Sequence, residues 1–313
     1  MIDSPQAHRP TSRQRQVANF FYSRPNLVLV VLLVLPLLWF GVVYLGSLLT
    51  LLIQSFFHLD GFTGQVIHKF TLATYHELFT ESNLKIIWRT VIMAIAVSLT
   101  TIILAFPVAY YMARHATPGL KATLYLAVVL PLWANYLVRV YSWKLILAKE
   151  GVITWLAHLL HLDWLLNGVL SLPGIGGPSL SVSTIGMFLA FVYLWLPYMI
   201  LPLESALERV PQSLLEASAD LGGHPWETFQ HVILPLAFPG VVAGSIFTFS
   251  LTLGDFITPS VLGNSSPFIG QAAYIQQGTA GNVPLAAAFT VVPIAIMLLY
   301  LIAAKRLGAF DAL

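Results

Sequence analysis

Residues 216–235 read EASADLGGHPWETFQHVILP, the longest polar run in the second half of the chain. Uncharged apolar segments of membrane-spanning length flank it, at about 182–203 and 236–258. A charged element held between two spans must sit in water beside the bilayer. Its first part is rich in helix formers, and Leu214, Leu215, Ala217, Ser218 and Leu221 give it one small or apolar face. Gly222-Gly223 offers the left-handed position that stops a helix, and Pro225 suits the first turn of the next. The expected shape is two short helices at an angle, the second ending near Pro235 where a span begins.

The rest of the chain agrees that a bilayer is the solvent. Of 313 residues, 58% are hydrophobic and only 9% charged, where a soluble domain carries about a quarter charged. Mean hydropathy is +0.81. The formal net charge is +2, and no basic patch interleaved with aromatics is present, which argues against nucleic-acid binding. With no cysteine, disulfides, thiolate metal sites, iron–sulfur clusters and cysteine nucleophiles are all excluded.

Read in order, residues 1–26 form a polar tail with Arg9, Arg13, Arg15 and Arg24 against Asp3, poorly ordered at its start. Residues 27–53 are too long for a signal-peptide core and no small-residue cleavage site follows, so they read as a retained span. A polar segment, 54–87, contains FTLATYHELF, which suits a short amphipathic helix on the bilayer surface. A core of 88–305 follows. Its spans fall at about 90–113 (with Pro107 as a kink), 122–140 (running through Pro131), 182–203, 236–258 and 283–304, and a polar loop occupies 204–235. Residues 259–282 are too polar for lipid and too uncharged for an ordinary loop, as in a re-entrant or pore-lining segment. Residues 306–313 close the chain. The fold class is therefore an all-α membrane protein of about six transmembrane helices.

Six spans put both termini on one side. Nine Lys and Arg fall on that side and five on the other, with Arg139 unassigned. The bias places the tails and the 204–235 loop in the cytoplasm, and the 54–87 segment outside it.

On the polar run the sequence resembles the permease subunits of bacterial ABC importers. Their signature is E-A-A, three residues, G, nine residues, I-x-L-P. Glu216, Ala217, Gly222, Leu234 and Pro235 match it at the right spacing, Ser218 stands in for the second Ala, and Val232 for Ile. The segments LPLWANYLVRVYSWKLIL, LPYMILPLESALERVPQSLLEASADLGG and LGDFITPSVLG resemble the larger permease of spermidine/putrescine importers.

The resemblance implies the type I importer permease fold and a bacterial inner-membrane location. It also implies three partners: a separate ABC ATPase dimer docked on 216–235, a second permease subunit, and a periplasmic substrate-binding protein. The cargo would be a polyamine. Related branches carry opine-type compounds, sulfate, molybdate or ferric iron. No G-x-x-x-x-G-K-[ST] loop is present, so the chain would bind no cofactor, and ATP and Mg would sit on the partner.

Several residues stand out for chemistry. An acid in a span costs about 2.5–3.5 kcal/mol at the centre, so Asp255 should face a cavity or a partner. It would meet a substrate ammonium directly or pair with Arg139. Arg139 suits a structural or gating role. Asn135, Tyr136, Tyr141 and Trp143 could line a substrate pathway, the aromatics alternatively serving as an interfacial belt. His158, His161 and Asp163 have metal-like spacing but no further ligand set, and read as a helix face. Glu204 and Glu208 lie one turn apart, suiting a solvated loop. Two other classes remain: a secondary transporter relaying through Asp255 and Arg139, which would not use the signature, and a membrane-embedded enzyme, for which no nucleophile–base set is identifiable.

Overall fold

The computed structural model describes residues 24–264 and 266–307. Most of the 1–26 tail and of the 306–313 tail lies outside them. The chain divides into two compact units, residues 1–54 and 55–313.

In the first unit, α1 (Pro25–Trp39), a π-helical turn (Phe40–Leu45) and α2 (Gly46–Gln54) make one apolar run, Val28–Gln54. Ser47 and Thr50 donate back to the carbonyls of Tyr44 and Gly46, both at 2.8 Å, so their hydroxyls need no water. Its large apolar side chains are exposed along the helix.

The second unit opens with a short antiparallel ladder, β1 (His58–Leu59) on β2 (Val66–Ile67), pairing His58 with Ile67. Asp60 ties the turn, accepting from the Phe62 amide and the Thr63 hydroxyl, which hold its carboxyl below the usual carboxylate range. Helices then follow as α3 (Ala73–Leu78), α4 (Glu81–Arg114), α5 (Pro118–Trp133), α6 (Tyr136–Ile146), α7 (Val152–Leu159) and α8 (Asp163–Leu170). A 3₁₀ turn (Leu180–Val182) leads to α9 (Thr184–Glu208), α10 (Gln212–Asp220) and α11 (Pro225–Thr228). The chain ends with α12 (Leu234–Gly254), α13 (Ile257–Val261), α14 (Ile269–Gly278) and α15 (Val283–Arg306).

The centre of this unit is α4, α9 and α12 packed together, with α15 against α12. α4 and α9 pack directly on each other and run the same way, and α12 runs back against both. Small residues let α12 approach α9 closely. A Cβ on Gly240 would lie 2.4 Å from the Ala206 Cβ and 2.8 Å from the Pro202 carbonyl, and one on Gly244 would lie 2.6 Å from the Met199 Sδ. Prolines 107, 197, 202, 239 and 293 lie inside continuous helices. Neighbouring helices can re-satisfy the freed carbonyls.

Among the described residues, five helical runs are long and apolar enough to cross a membrane, and α5 with α6 makes a sixth if the pair is one span. That pair corrects the expected continuous span at 122–140. The chain turns by 97° between Trp133 and Tyr136, because Ala134 and Asn135 are extended and Asn135 caps α6, its Oδ1 accepting from the Leu137 amide at 2.9 Å. Within FTLATYHELF the helix is α3, and its Leu78 is buried with Ile269, Leu285 and Phe289 while Phe70, Leu72 and Phe79 are exposed. Residues 259–282 form α13 and α14, which fold onto the first turns of the spans. The Ile269 amide donates to Thr90 Oγ1 at 3.0 Å, and Gly270 lies against the Gly254 and Asp255 carbonyls.

Candidate functional site

The signature stretch folds as a hinge of two helices. α10 ends in a Schellman motif: the Gly223 amide donates to the Ser218 carbonyl and the Gly222 amide to the Ala219 carbonyl, both at 2.9 Å. Gly222 has φ +77, which a residue without Cβ adopts at no steric cost. Ser218, the departure from the second Ala, bridges the turn by a 2.8 Å hydrogen bond to Thr228. A capping box at His224 and Glu227 starts α11.

The second helix does not end near Pro235. It passes through a π-helical turn (Phe229–Ile233) straight into α12, giving one continuous run, Pro225–Gly254. The Gly222-Gly223 turn is therefore joined to a span by unbroken helix. Of the expected inward face, Leu215 packs on the core and Ser218 is half-buried, whereas Leu214 and Leu221 are exposed, Leu221 at 90%. Glu216 and Ala217 are exposed and Val232 is half-buried. The buried anchor is its neighbour Ile233, set among Met112, Leu203 and Leu207. An aromatic ladder holds the other side, Trp226 stacked on Phe229 at 5.3 Å and Phe229 edge-on to Phe106 of α4 at 5.2 Å.

Glu204 and Glu208 are not loop residues. Both lie on the last turns of α9, and Glu204 is buried at 6% exposure. Lys121, at the start of α5, reaches Glu204 at 3.0 Å and also pairs with Glu208. Arg114 closes α4 and donates to the carbonyls of Leu207 and Val210 at the end of α9, at 2.9 and 2.5 Å. Cations at a helix C-terminus are favourable. The α4–α5 turn thus clamps the root of the hinge. The sequence reading missed this clamp, although the i, i+4 spacing of the two glutamates was visible.

Between the last turns of α12 and the middle of α9 a cavity of about 470 Å³ opens. Asp255, Tyr136, Arg139, Trp195, Tyr198 and Phe256 are on its wall. The Tyr136 hydroxyl donates to Asp255 Oδ2 and exchanges a 2.7 Å hydrogen bond with Thr258. Asp255 Oδ1 accepts from the amides of Ile257 and Thr258 at 2.9 and 3.4 Å, capping α13. The expected alternative, a charge pair with Arg139, does not form among the described residues. Instead, the Arg139 guanidinium lies 5.6 Å from the Tyr136 ring centre. Tyr136 stacks on Trp195 at 5.8 Å, and Trp195 meets Tyr198 edge-on at 5.9 Å.

Asn135, Tyr141 and Trp143 are not on this wall. Asn135 serves as the α6 cap, Tyr141 is exposed, and Trp143 packs on Tyr193 at 5.1 Å. Trp195 and Tyr198 were missed by sequence reading. They sit in a uniformly apolar span whose facing cannot be read without its neighbours. His158 pairs with Asp163 across the α7–α8 link, and no group of three His, Cys, Asp or Glu able to hold a metal occurs among the described residues.

Comparison with known proteins decides the family. The family described as the binding-protein-dependent transport system inner membrane component matches residues 91–309. The chain belongs to this family. Among curated relatives of this permease component, it is 56% identical over 298 residues to the inner membrane ABC transporter permease protein YdcU of Escherichia coli, covering 95% of each chain. It is 32% identical over 217 residues to the spermidine/putrescine transport system permease protein PotB of Haemophilus influenzae, covering 69% of this chain and 71% of PotB. Among solved structures, a bacterial ABC transporter involved in import of the acidic polysaccharide alginate matches with TM-score 0.64 at 14% identity, covering 93% and 99% of the chains. A second alginate transporter structure, in complex with a periplasmic protein carrying an alginate pentasaccharide, gives 0.67 at 14% identity, covering 93% and 98%. These likenesses establish the type I importer permease fold, and the apolar helices fit a multi-pass protein of the inner membrane.

Proposed function

We propose that this ABC importer permease carries a polyamine-like cation through a pathway of which the Asp255 cavity is part, and couples to a separate ATPase through residues 216–235. The observation that carries the cargo reading is a carboxylate on an aromatic-walled cavity with no cation paired to it among the described residues. An ammonium would meet Asp255, and methylenes would lie on Tyr136, Trp195 and Tyr198. The PotB relative, a spermidine/putrescine permease by name, supports the same class.

Glu216, Ala217, Leu221 and Trp226 form an exposed, mixed apolar and acidic knob, supported as a docking surface by the signature match. Its partner is an ATPase dimer holding ATP and Mg. A second permease subunit and a periplasmic binding protein complete the importer. The excess of Lys and Arg on the tails supports both termini and the knob being cytoplasmic.

Arg139 on the same wall favours a second reading, a solute with one anionic and one cationic end, such as an opine-type compound. The test is solute-stimulated ATP hydrolysis by the reconstituted importer. For a polyamine cargo, Asp255→Asn should raise the half-stimulating polyamine concentration about tenfold or more, as expected for losing a hydrogen bond to a charged group, while Arg139→Gln should not. An unchanged Asp255→Asn curve sinks the cargo role. Equal damage from both variants, with stimulation only by ampholytes, selects the second reading.

A further inference from the structure

A second cleft lies away from the Asp255 cavity. It measures about 580 Å³ and runs between the first turns of α4 and the start of α9, floored by the Gly174-Ile175 turn. Its α4 wall carries Lys85, Trp88, Arg89, Ile92 and Ala96, one stripe at helical spacing. The upper end of that stripe is cationic and everything below it is apolar. Phe188 and Ile185 of α9 form the opposite wall. They also border a neighbouring, wholly apolar cleft of about 330 Å³ under α7 and α8. The two clefts thus share the Ile185 and Phe188 wall, and the pair of cations lines the larger one.

The position of this stripe relative to the bilayer follows from the sequence. The uncharged part of α4 begins at Thr90, so Lys85 and Arg89 stand at its polar margin, with Trp88 between them. From Lys85 to Ala96 the helix rises about 16 Å, close to one leaflet's share of a hydrocarbon core of about 30 Å. Arg89 uses one nitrogen to donate to the Pro267 carbonyl at 3.2 Å. Lys85 pairs with Glu81 at 2.6 Å, but both are well exposed, at 68% and 84%, and such a pair holds its partners weakly.

We propose that the larger cleft is a binding site for one anionic phospholipid, its phosphate on Lys85 and Arg89 and its acyl part along the apolar wall of Trp88, Ile92, Ala96 and Phe188. Charge complementarity selects the headgroup. A guanidinium can take a phosphate by two parallel hydrogen bonds, and each basic residue near an anionic lipid surface strengthens binding. The depth and the wholly apolar lower walls select acyl chains over a polar solute. The site joins α4 to α9, two of the three central helices, so an occupied cleft would brace the bundle from the lipid side.

Native mass spectrometry of the full-length purified chain, delipidated and then titrated with phosphatidylglycerol or phosphatidylcholine, tests this directly. The wild-type chain should retain one phosphatidylglycerol about tenfold better than phosphatidylcholine. Lys85→Gln with Arg89→Gln should bring retention of both lipids to the same low level, whereas Lys85→Arg should keep the preference. Ile92→Trp, filling the cleft with both cations left in place, should lose both lipids. Lys69→Gln, on a cation elsewhere, should change nothing. Equal retention of the two lipids by the wild-type chain, or an unaltered preference in the double variant, overturns the proposal. Circular dichroism of each variant separates lost binding from lost folding.

Discussion

The two ends of α12 lie beside charge that is held in opposite ways. At the hinge end Glu204 and Glu208 share Lys121, and Arg114 is spent on carbonyls of Leu207 and Val210. At the other end Asp255 is held only by a phenol and backbone amides, and Arg139 faces an aromatic ring. An ionic cluster shared between two helices resists their relative movement. An acid held by neutral donors keeps its charge uncancelled. On the proposed function the hinge end would transmit force and the cavity end would receive a cation, and one unbroken helical run from Pro225 to Gly254 connects them.

The strongest way to break this contrast is to separate this helical run from its neighbour. Gly240→Leu would drive a side chain into Ala206 and the Pro202 carbonyl, at a position with no room for a Cβ. Overpacking costs about 1–3 kcal/mol when neighbours can shift, and a backbone carbonyl has little freedom to shift. The expected outcome is loss of a monodisperse chain in detergent, read by size exclusion, and loss of transport. Gly119→Ala, at a site with open space around it, is the control that should leave both intact.

Next in size is the clamp itself. Lys121→Met would leave the buried Glu204 carboxylate without its cation, costing about 1–3 kcal/mol, held to that range because Lys121 is itself about a third exposed. Adding Glu204→Gln to Lys121→Met should recover most of that loss, since the stranded charge is then gone. If the clamp transmits force, the double variant regains thermal stability but still hydrolyses ATP without moving solute. Recovery of transport together with stability would show that the cluster only braces the fold.

The same contrast explains what the sequence could reveal. The turn is local: Ser218, Gly222 and Thr228 lie within one stretch, so residue types and spacing pointed to two short helices and to the positive φ at Gly222. Three further features escaped, beside the clamp, because their causes are not local. The π-helical turn that fuses α11 to α12 depends on Phe229 finding Phe106 and on Ile233 finding Met112. The 97° break after Trp133 looks from sequence like an apolar run with one polar residue, and only the capping role of Asn135 marks it. The cavity draws on α6, α9 and α12, remote in sequence, so Asp255 and Tyr136 could be nominated but not joined to Trp195 and Tyr198.

The smallest expected effect is the sharpest test of the cavity end. Tyr136→Phe keeps the ring that stacks on Trp195 and faces Arg139, and removes only the hydroxyl that meets Asp255 and Thr258. Asp255 Oδ1 still accepts from Ile257 and Thr258, so the start of α13 survives. The stability cost should be about 1 kcal/mol. If Asp255 serves the fold alone, Tyr136→Phe and Asp255→Asn should both lower thermal stability and leave the response to solute alone. If Asp255 is kept for a cation, the two variants should shift the solute response while stability barely moves. In that case the shifts should be non-additive in a double-mutant cycle, because one hydrogen bond joins the two side chains.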